Sequence, residues 1–111
     1  MFRTRAELEA EELATISKSR GAQQLCDCQA GEQIEACGVI RSITIRPQGS
    51  VPALQVEMFD GTRAIDVIWL GRRRIAGIDP GRMIVVHGRL TCNTENPTVY
   101  NPRYELLPRT S

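Results

Sequence analysis

Gly71-Arg72-Arg73-Arg74-Ile75-Ala76-Gly77-Ile78 is the stretch on which the reading of this chain turns. It lies between segments that alternate apolar and polar residues with the two-residue period of β-strands, and it does not alternate itself. The spacing predicts a short helix of about two turns, with Ile75 and Ile78 plugging the end of a barrel. Upstream, alternation marks strands at residues 32–46, 53–60 and 63–70; downstream it marks 82–92 and 98–107. The separators carry turn chemistry: Pro47-Gln48-Gly49-Ser50, the tight hairpin dipeptide Asp60-Gly61, Asp79-Pro80-Gly81, and Asn93 to Pro97.

Parity within each strand assigns the inward faces. Leu54, Val56 and Met58 share one side of the second strand, and Ile65, Val67 and Trp69 one side of the third. Ile84, Val86, Gly88 and Leu90 share a side of the fourth, and Tyr104 with Leu106 would complete the core from the fifth. Pro102 makes the fifth strand an edge or bends it there, and Gly38 and Gly88 stand mid-strand, where small barrels turn sharply. The predicted fold class is all-β. Five strands with a short helix between the third and fourth form a Greek-key barrel of the oligonucleotide/oligosaccharide-binding (OB) type. A small barrel of the SH3 type, the rival architecture, lacks a helix at that place.

Ahead of the barrel, residues 4–18 read as an α-helix. Thr4 serves as N-cap with Glu7 closing a capping box, the acidic run Glu7, Glu9, Glu11, Glu12 favours the N-terminal half, Lys18 the end, and Gly21 stops it. Its narrow, Ala-rich apolar face suits docking on the barrel or self-association. The expected organisation is therefore a helix and connector over 1–31, the barrel over 32–108 and a tail at 109–111.

At 111 residues and 41% hydrophobic content, the chain suits one globular domain. Net charge is +1, but residues 61–111 carry eight basic against four acidic groups while residues 21–60 carry two against five. All the basic residues except Lys18 are Arg, whose planar fork suits phosphates and bases. There is no apolar run of membrane-spanning length, and Met1-Phe2-Arg3-Thr4-Arg5 leads into no signal-peptide core, so a cytoplasmic location is expected. Cys26 and Cys28 are too close for a zinc knuckle, and Cys37, Cys92 and the sole histidine, His87, stand apart; reduced thiols, no metal and no cofactor are expected. No paired-carboxylate, nucleophile–base or phosphate-loop arrangement occurs, so the chain is read as non-catalytic.

A resemblance adds to this reading. It is carried by Val51-Pro52-Ala53-Leu54, Phe59-Asp60-Gly61-Thr62, Val67-Ile68-Trp69-Leu70 running into Gly71 to Ile78, Pro80-Gly81, His87-Gly88-Arg89 and Tyr100-Asn101-Pro102-Arg103-Tyr104-Glu105-Leu106. Over residues 32–107 the chain resembles a family of short actinobacterial proteins described as OB-fold nucleic-acid-binding domain proteins. More distantly it is similar to the wedge OB domain of branch-migrating DNA helicases and to anticodon-binding OB domains. The resemblance implies an OB barrel and a nucleic-acid-binding class without supplying the ligand. Taken with the OB layout and the positive second half, the expected partner is nucleic acid, with single-stranded or branched DNA favoured and RNA the other choice.

OB barrels bind strands across the second and third strands, flanked by the loops between strands one and two and between four and five. The candidate binding residues are Arg41 and Arg46 on the first strand, Phe59 on the second, Tyr100 and Arg103 on the fifth, Arg89 on the fourth, and the triplet Arg72, Arg73 and Arg74. The triplet serves phosphate contact, solvation of the loop, or pairing with Glu57, Asp66 or Asp79. Against the binding reading, the outward residues Gln55, Glu57, Asp66 and Ile68 make the central face acidic and, Phe59 apart, aromatic-free. That leaves a second expectation, a protein-interaction module using the N-terminal helix or the barrel face. Parity places Trp69 in the core, with a base-stacking platform as the other reading, and His87 on the strand surface.

Overall fold

A computed structural model describes residues 4–91 and 96–108. Helix α1 spans Arg5–Ser19 and is followed by strands β1 (Gln33–Gln48), β2 (Val51–Phe59), β3 (Ala64–Leu70), β4 (Met83–Thr91), β5 (Thr98–Tyr100) and β6 (Arg103–Leu106). The barrel closes because β1 changes partners along its length. Its first half, Gln33 to Val39, pairs antiparallel with β4, and from Val39 onward it pairs with β2. β2 pairs with β3, β3 runs parallel to β5, and β5 returns to β4. The ring β1-β2-β3-β5-β4 is that of an OB barrel. Arg41 is left unpaired where the register slips between Ile40 and Ser42, a β-bulge that helps the long strand curl.

In β2, β3 and β4 the core is the one parity selects. Leu54, Val56, Met58, Ile65, Val67, Trp69, Ile84, Val86 and Leu90 are all buried, together with Leu25, Ile34, Ile40 and Val99. Residues 71–82 contain no helix, which corrects the expectation for this connector. Gly71 (φ +77°) and Gly77 (φ +84°) are left-handed and bracket a window too short for a helix to nucleate. Single turns closed by Ile78 N–H to Ile75 O (3.1 Å) and Arg82 N–H to Asp79 O (3.1 Å) replace it. They suffice to bury Ile75 and Ile78 as the barrel plug.

The fifth predicted strand divides at Asn101-Pro102. Asn101 is left-handed (φ +48°), and the break is pinned to β3 from both sides. Asn101 N–H donates to Ile68 O (2.7 Å) while its side-chain oxygen accepts from Leu70 N–H (2.9 Å). Tyr104 lies opposite Val86 and Leu106 opposite Ile84, so both face the core side. Leu106 packs on the core as expected, whereas Tyr104, on a strand paired only with β4 among the described residues, is 39% exposed and not the core residue expected. Its ring meets Trp69 edge-on at 5.5 Å. Trp69 itself is buried and donates its indole N–H to Pro102 O (3.3 Å).

α1 begins at Thr4, whose hydroxyl accepts from Glu7 N–H (3.1 Å), and ends at Arg20-Gly21. It docks on the barrel in two places. Its Ile16 packs on a small cluster of Cys37, Val85 and Leu107. Its Ala10–Ala14 turn lies against Gly61 so closely that a Cβ there would come within 2.6 Å of Ala14 N. The Asp60 carboxylate beside it is fully buried and ties the connector after the helix to the β2–β3 hairpin. No described helix is long and apolar enough to cross a membrane.

Candidate nucleic-acid interface

Because strand side chains alternate, register decides which residues share the outer face. One row crosses four strands as Thr44, Gln55, Ile68 and Tyr100. The next is Ser42, Glu57, Asp66 and Thr98. Phe59 follows at the far end of β2. Over these rows lies an open groove of about 350 Å³, lined by Arg46, Gln48, Gln55, Asp66, Ile68, Asn96, Thr98 and Tyr100. A neighbouring depression of about 460 Å³ lies against the β1–β2 turn, lined by Ile45, Arg46, Pro47, Gly49, Ser50, Val51, Pro52 and Arg73. Arg46 belongs to both, so it stands on the ridge between them.

The groove wall beyond β3 is held by short-range bonds. Asp66 N–H donates to Pro97 O (2.9 Å), the Thr98 hydroxyl donates to Asn96 O (2.9 Å), and the Thr91 hydroxyl donates to Thr98 O (3.0 Å). Among the described residues, the Asp66 carboxylate accepts a long contact from the Asn96 amide (3.4 Å). Arg46 has no carboxylate within ion-pair distance among the described residues. The face thus offers one unengaged guanidinium, one half-buried phenol ring, a run of amides and hydroxyls, and an acceptor near its centre.

The candidate residues are distributed unevenly. Arg46 and Tyr100 come together in the groove, and Arg73 reaches the adjoining depression. Arg41 and Phe59 lie farther along the same face, with the Arg41 guanidinium 3.7 Å over the ring. That cation–π contact covers Phe59, so the exposed flat surface at this point is the guanidinium plane. Arg72 and Arg74 are exposed on the loop after β3, and neither meets Glu57 or Asp66 in an ion pair. Arg89 lies outside the groove, on the β1–β4 flank, where its guanidinium donates to Gly31 O. Arg103 is level with His87 on that flank. His87 Nδ1 lies 3.2 Å from the Glu35 carboxylate at the strand surface.

Gln48, Asn96 and Thr98 line the groove without having been singled out by sequence. Gln48 extends β1 past the predicted strand end, where its parity with Thr44 and Arg46 was the available signal. Thr98 opens a three-residue strand whose partner could not be read locally. Cys28 and Cys37 are buried, and burial pushes both thiols above their ordinary range, while Cys26 is exposed. Cys92, Asn93, the loop to Glu95 and the 109–111 tail lie outside the described residues. Among the described residues, His, Cys, Asp and Glu nowhere gather in threes that could hold a metal ion.

Fold and face together define a small OB barrel with an open polar groove over β1, β2, β3 and β5. No family model matches the sequence, and no curated protein matches it. Among solved structures the chain is similar to RecG bound to a three-way DNA junction, with a TM-score of 0.62 and 20% identity over 77% of this chain and 12% of that one. It is also similar to a HINb domain, with a TM-score of 0.64 and 12% identity over 81% of this chain and 49% of the other. The chain therefore spans a small part of the first and about half of the second, and the likeness is one of fold.

Proposed function

We propose that this barrel binds nucleic acid without catalysis, taking single-stranded or branched DNA across the groove. The observation that carries the reading is the pairing of Arg46, unengaged by any described carboxylate, with the half-buried ring of Tyr100 across an open concave face. A cation for phosphate and a ring for a base are the two elements single-strand binding needs. The RecG structure to which the fold is similar holds a three-way DNA junction, which favours a branched ligand.

Glu57 and Asp66 offset Arg41 and Arg46, so the face has no strong positive field and contacts few phosphates. With Arg46, Arg73 and Arg41 engaged, the salt dependence for a single strand should be shallow, with log K falling by about 2 per decade of salt. Fluorescence anisotropy with labelled single-stranded, duplex and forked oligonucleotides tests the reading. The double substitution R46A/Y100A should weaken single-strand binding by at least the value of one stacked base, about 1–3 kcal/mol. Absence of salt-dependent binding at tens of micromolar protein would overturn it.

A second reading, a protein-interaction module, is favoured by the apolar side chains at the β1–β2 turn, where Ile45 is 58% and Val51 43% exposed. A partner that co-purifies from the native host and is lost on I45D/V51D substitution would select it.

A further inference from the structure

The Asp66 carboxylate stands where a phosphate-binding face should not have one. It lines the groove, its backbone N–H is engaged by Pro97 O, and its described contact with Asn96, at 3.4 Å, is longer than a good N–H···O bond. Glu57 is directly opposite it on β2, a like-charged cross-strand pair that repels phosphate and is itself unfavourable. An ionised carboxylate only accepts hydrogen bonds, through two oxygens side by side. Whatever sits over Asp66 must bring donors, and the best match is a pair of parallel N–H groups.

The nucleobases differ sharply on this point. The Watson–Crick edge of guanine presents N1–H and the N2 amino group next to each other, a fork that meets both carboxylate oxygens. Cytosine and adenine each present a single amino group beside an acceptor. Thymine and uracil present one N–H between two carbonyls, which the carboxylate repels. We infer that the groove selects guanine, with Asp66 accepting from N1–H and N2, Ile68 as the apolar floor, Tyr100 as the stacking ring and Arg46 on the flanking phosphate. This rests on the proposed interface and names its ligand. The groove, at about 350 Å³, is near the small end of ligand pockets and suits one nucleotide unit.

The test is anisotropy in EDTA with an all-thymidine oligonucleotide and the same oligomer carrying one central dG, dC, dA or deoxyinosine, which keeps N1–H and lacks the N2 amino group. The native protein should prefer the dG oligomer over all-thymidine by about tenfold, the discrimination of one bidentate base contact. Deoxyinosine should fall between them. D66N, which is isosteric, and D66A should both erase the preference, so that the dG oligomer binds no tighter than the others, with a thermal melt confirming the fold. Native binding to all-thymidine with no guanine preference, a preference for dC over dG, or a guanine preference that survives D66N and D66A overturns the inference alone. Failure of every oligonucleotide to bind overturns the interface reading with it.

Discussion

Replacing Asp60 with Ala should unfold much of what holds the helix and connector to the barrel. The Asp60 side chain is fully buried and accepts from Leu25 N–H (2.8 Å), Thr62 N–H (2.8 Å), the Thr62 hydroxyl (2.7 Å) and Arg63 N–H (3.0 Å). The Thr62 hydroxyl in turn accepts from Cys26 N–H (3.1 Å), so the effect passes to a second connector residue. Hydrogen bonds to a charged group contribute about 1.5–3 kcal/mol each, or roughly 6–12 kcal/mol taken singly. Two effects reduce that. Water can replace the carboxylate at the half-buried Thr62 and the exposed Arg63, and deleting a buried charge removes its desolvation penalty. Leu25, fully buried, has no such substitute. The expected net loss is about 3–5 kcal/mol, which lowers Tm by roughly 12–20 °C for a domain of this size. D60N keeps one acceptor oxygen but turns an NH2 toward either Leu25 N–H or the hairpin donors, and should lose about 2–3 kcal/mol. Urea unfolding followed by the fluorescence of the single tryptophan, the buried Trp69, measures both. A D60A loss below about 1 kcal/mol, or D60N matching the parent, would refute the tie between hairpin and connector.

Ser17 is fully buried in α1 with its hydroxyl unpartnered among the described residues, so S17A should raise stability by about 1–2 kcal/mol from restored packing and better helix propensity; an unchanged urea midpoint would count against it. Gly38 stands just before β1 exchanges β4 for β2, and a Cβ there would lie 2.5 Å from Phe59 O, so G38A should destabilise by about 1–3 kcal/mol in a thermal melt. Burial raises the Cys28 and Cys37 thiols above the ordinary value of 9.0, so on alkalinisation the unfolded chain loses its protons first. Their contribution to stability is therefore complete below that value and is lost as pH rises through the folded-state values; C28A/C37A should flatten the alkaline fall in urea midpoint, and an equally steep fall would exclude these thiols as its cause. In a background with Cys92 replaced by Ser, maleimide should label Cys26 in the native protein and reach Cys28 and Cys37 only on unfolding, as mass spectrometry would show.

The strands were legible because a closed barrel buries one face of each, and Leu54, Val56 and Met58 in β2 can only alternate. Residues 71–78 misled for a definable reason. Ile75 and Ile78 have the i, i+3 spacing of a helix face, yet a single turn brings two such residues to the same plug. Tyr104 misled because parity gives the side a residue faces but not its cover: β6 is paired with β4 alone among the described residues, so a ring on the core side is still partly exposed. Asp60-Gly61 looks like a hairpin dipeptide and does lie in the β2–β3 connection, which spans residues 60–63, but the partner that makes the carboxylate structural is Leu25, 35 residues away. Such pairings carry no local sequence signal. The candidate face divides along the same line. Arg46 was found because it flanks a turn, whereas the neighbours it shares across the groove depend on register between β1, β2, β3 and β5.

Register also changes what the acidic residues of the face mean. In sequence, Glu57 and Asp66 count against a nucleic-acid binder, since each cancels an arginine. In the barrel they pair across β2 and β3, and Asp66 lines an open groove whose cationic edge is Arg46. A face built this way gains little from counterion release, because few phosphates are neutralised, and it must draw its binding free energy from base contacts. Sequence dependence and salt dependence should therefore separate: a preference that changes with the base over Asp66, on a shallow salt slope. A barrel that merely tracks the backbone through Arg72, Arg73 and Arg74 would neutralise as many phosphates, so it would show a similar salt slope but indifference to the base. Base dependence measured across oligonucleotides that differ at one position thus decides between the groove and the arginine loop, and the salt slope alone does not.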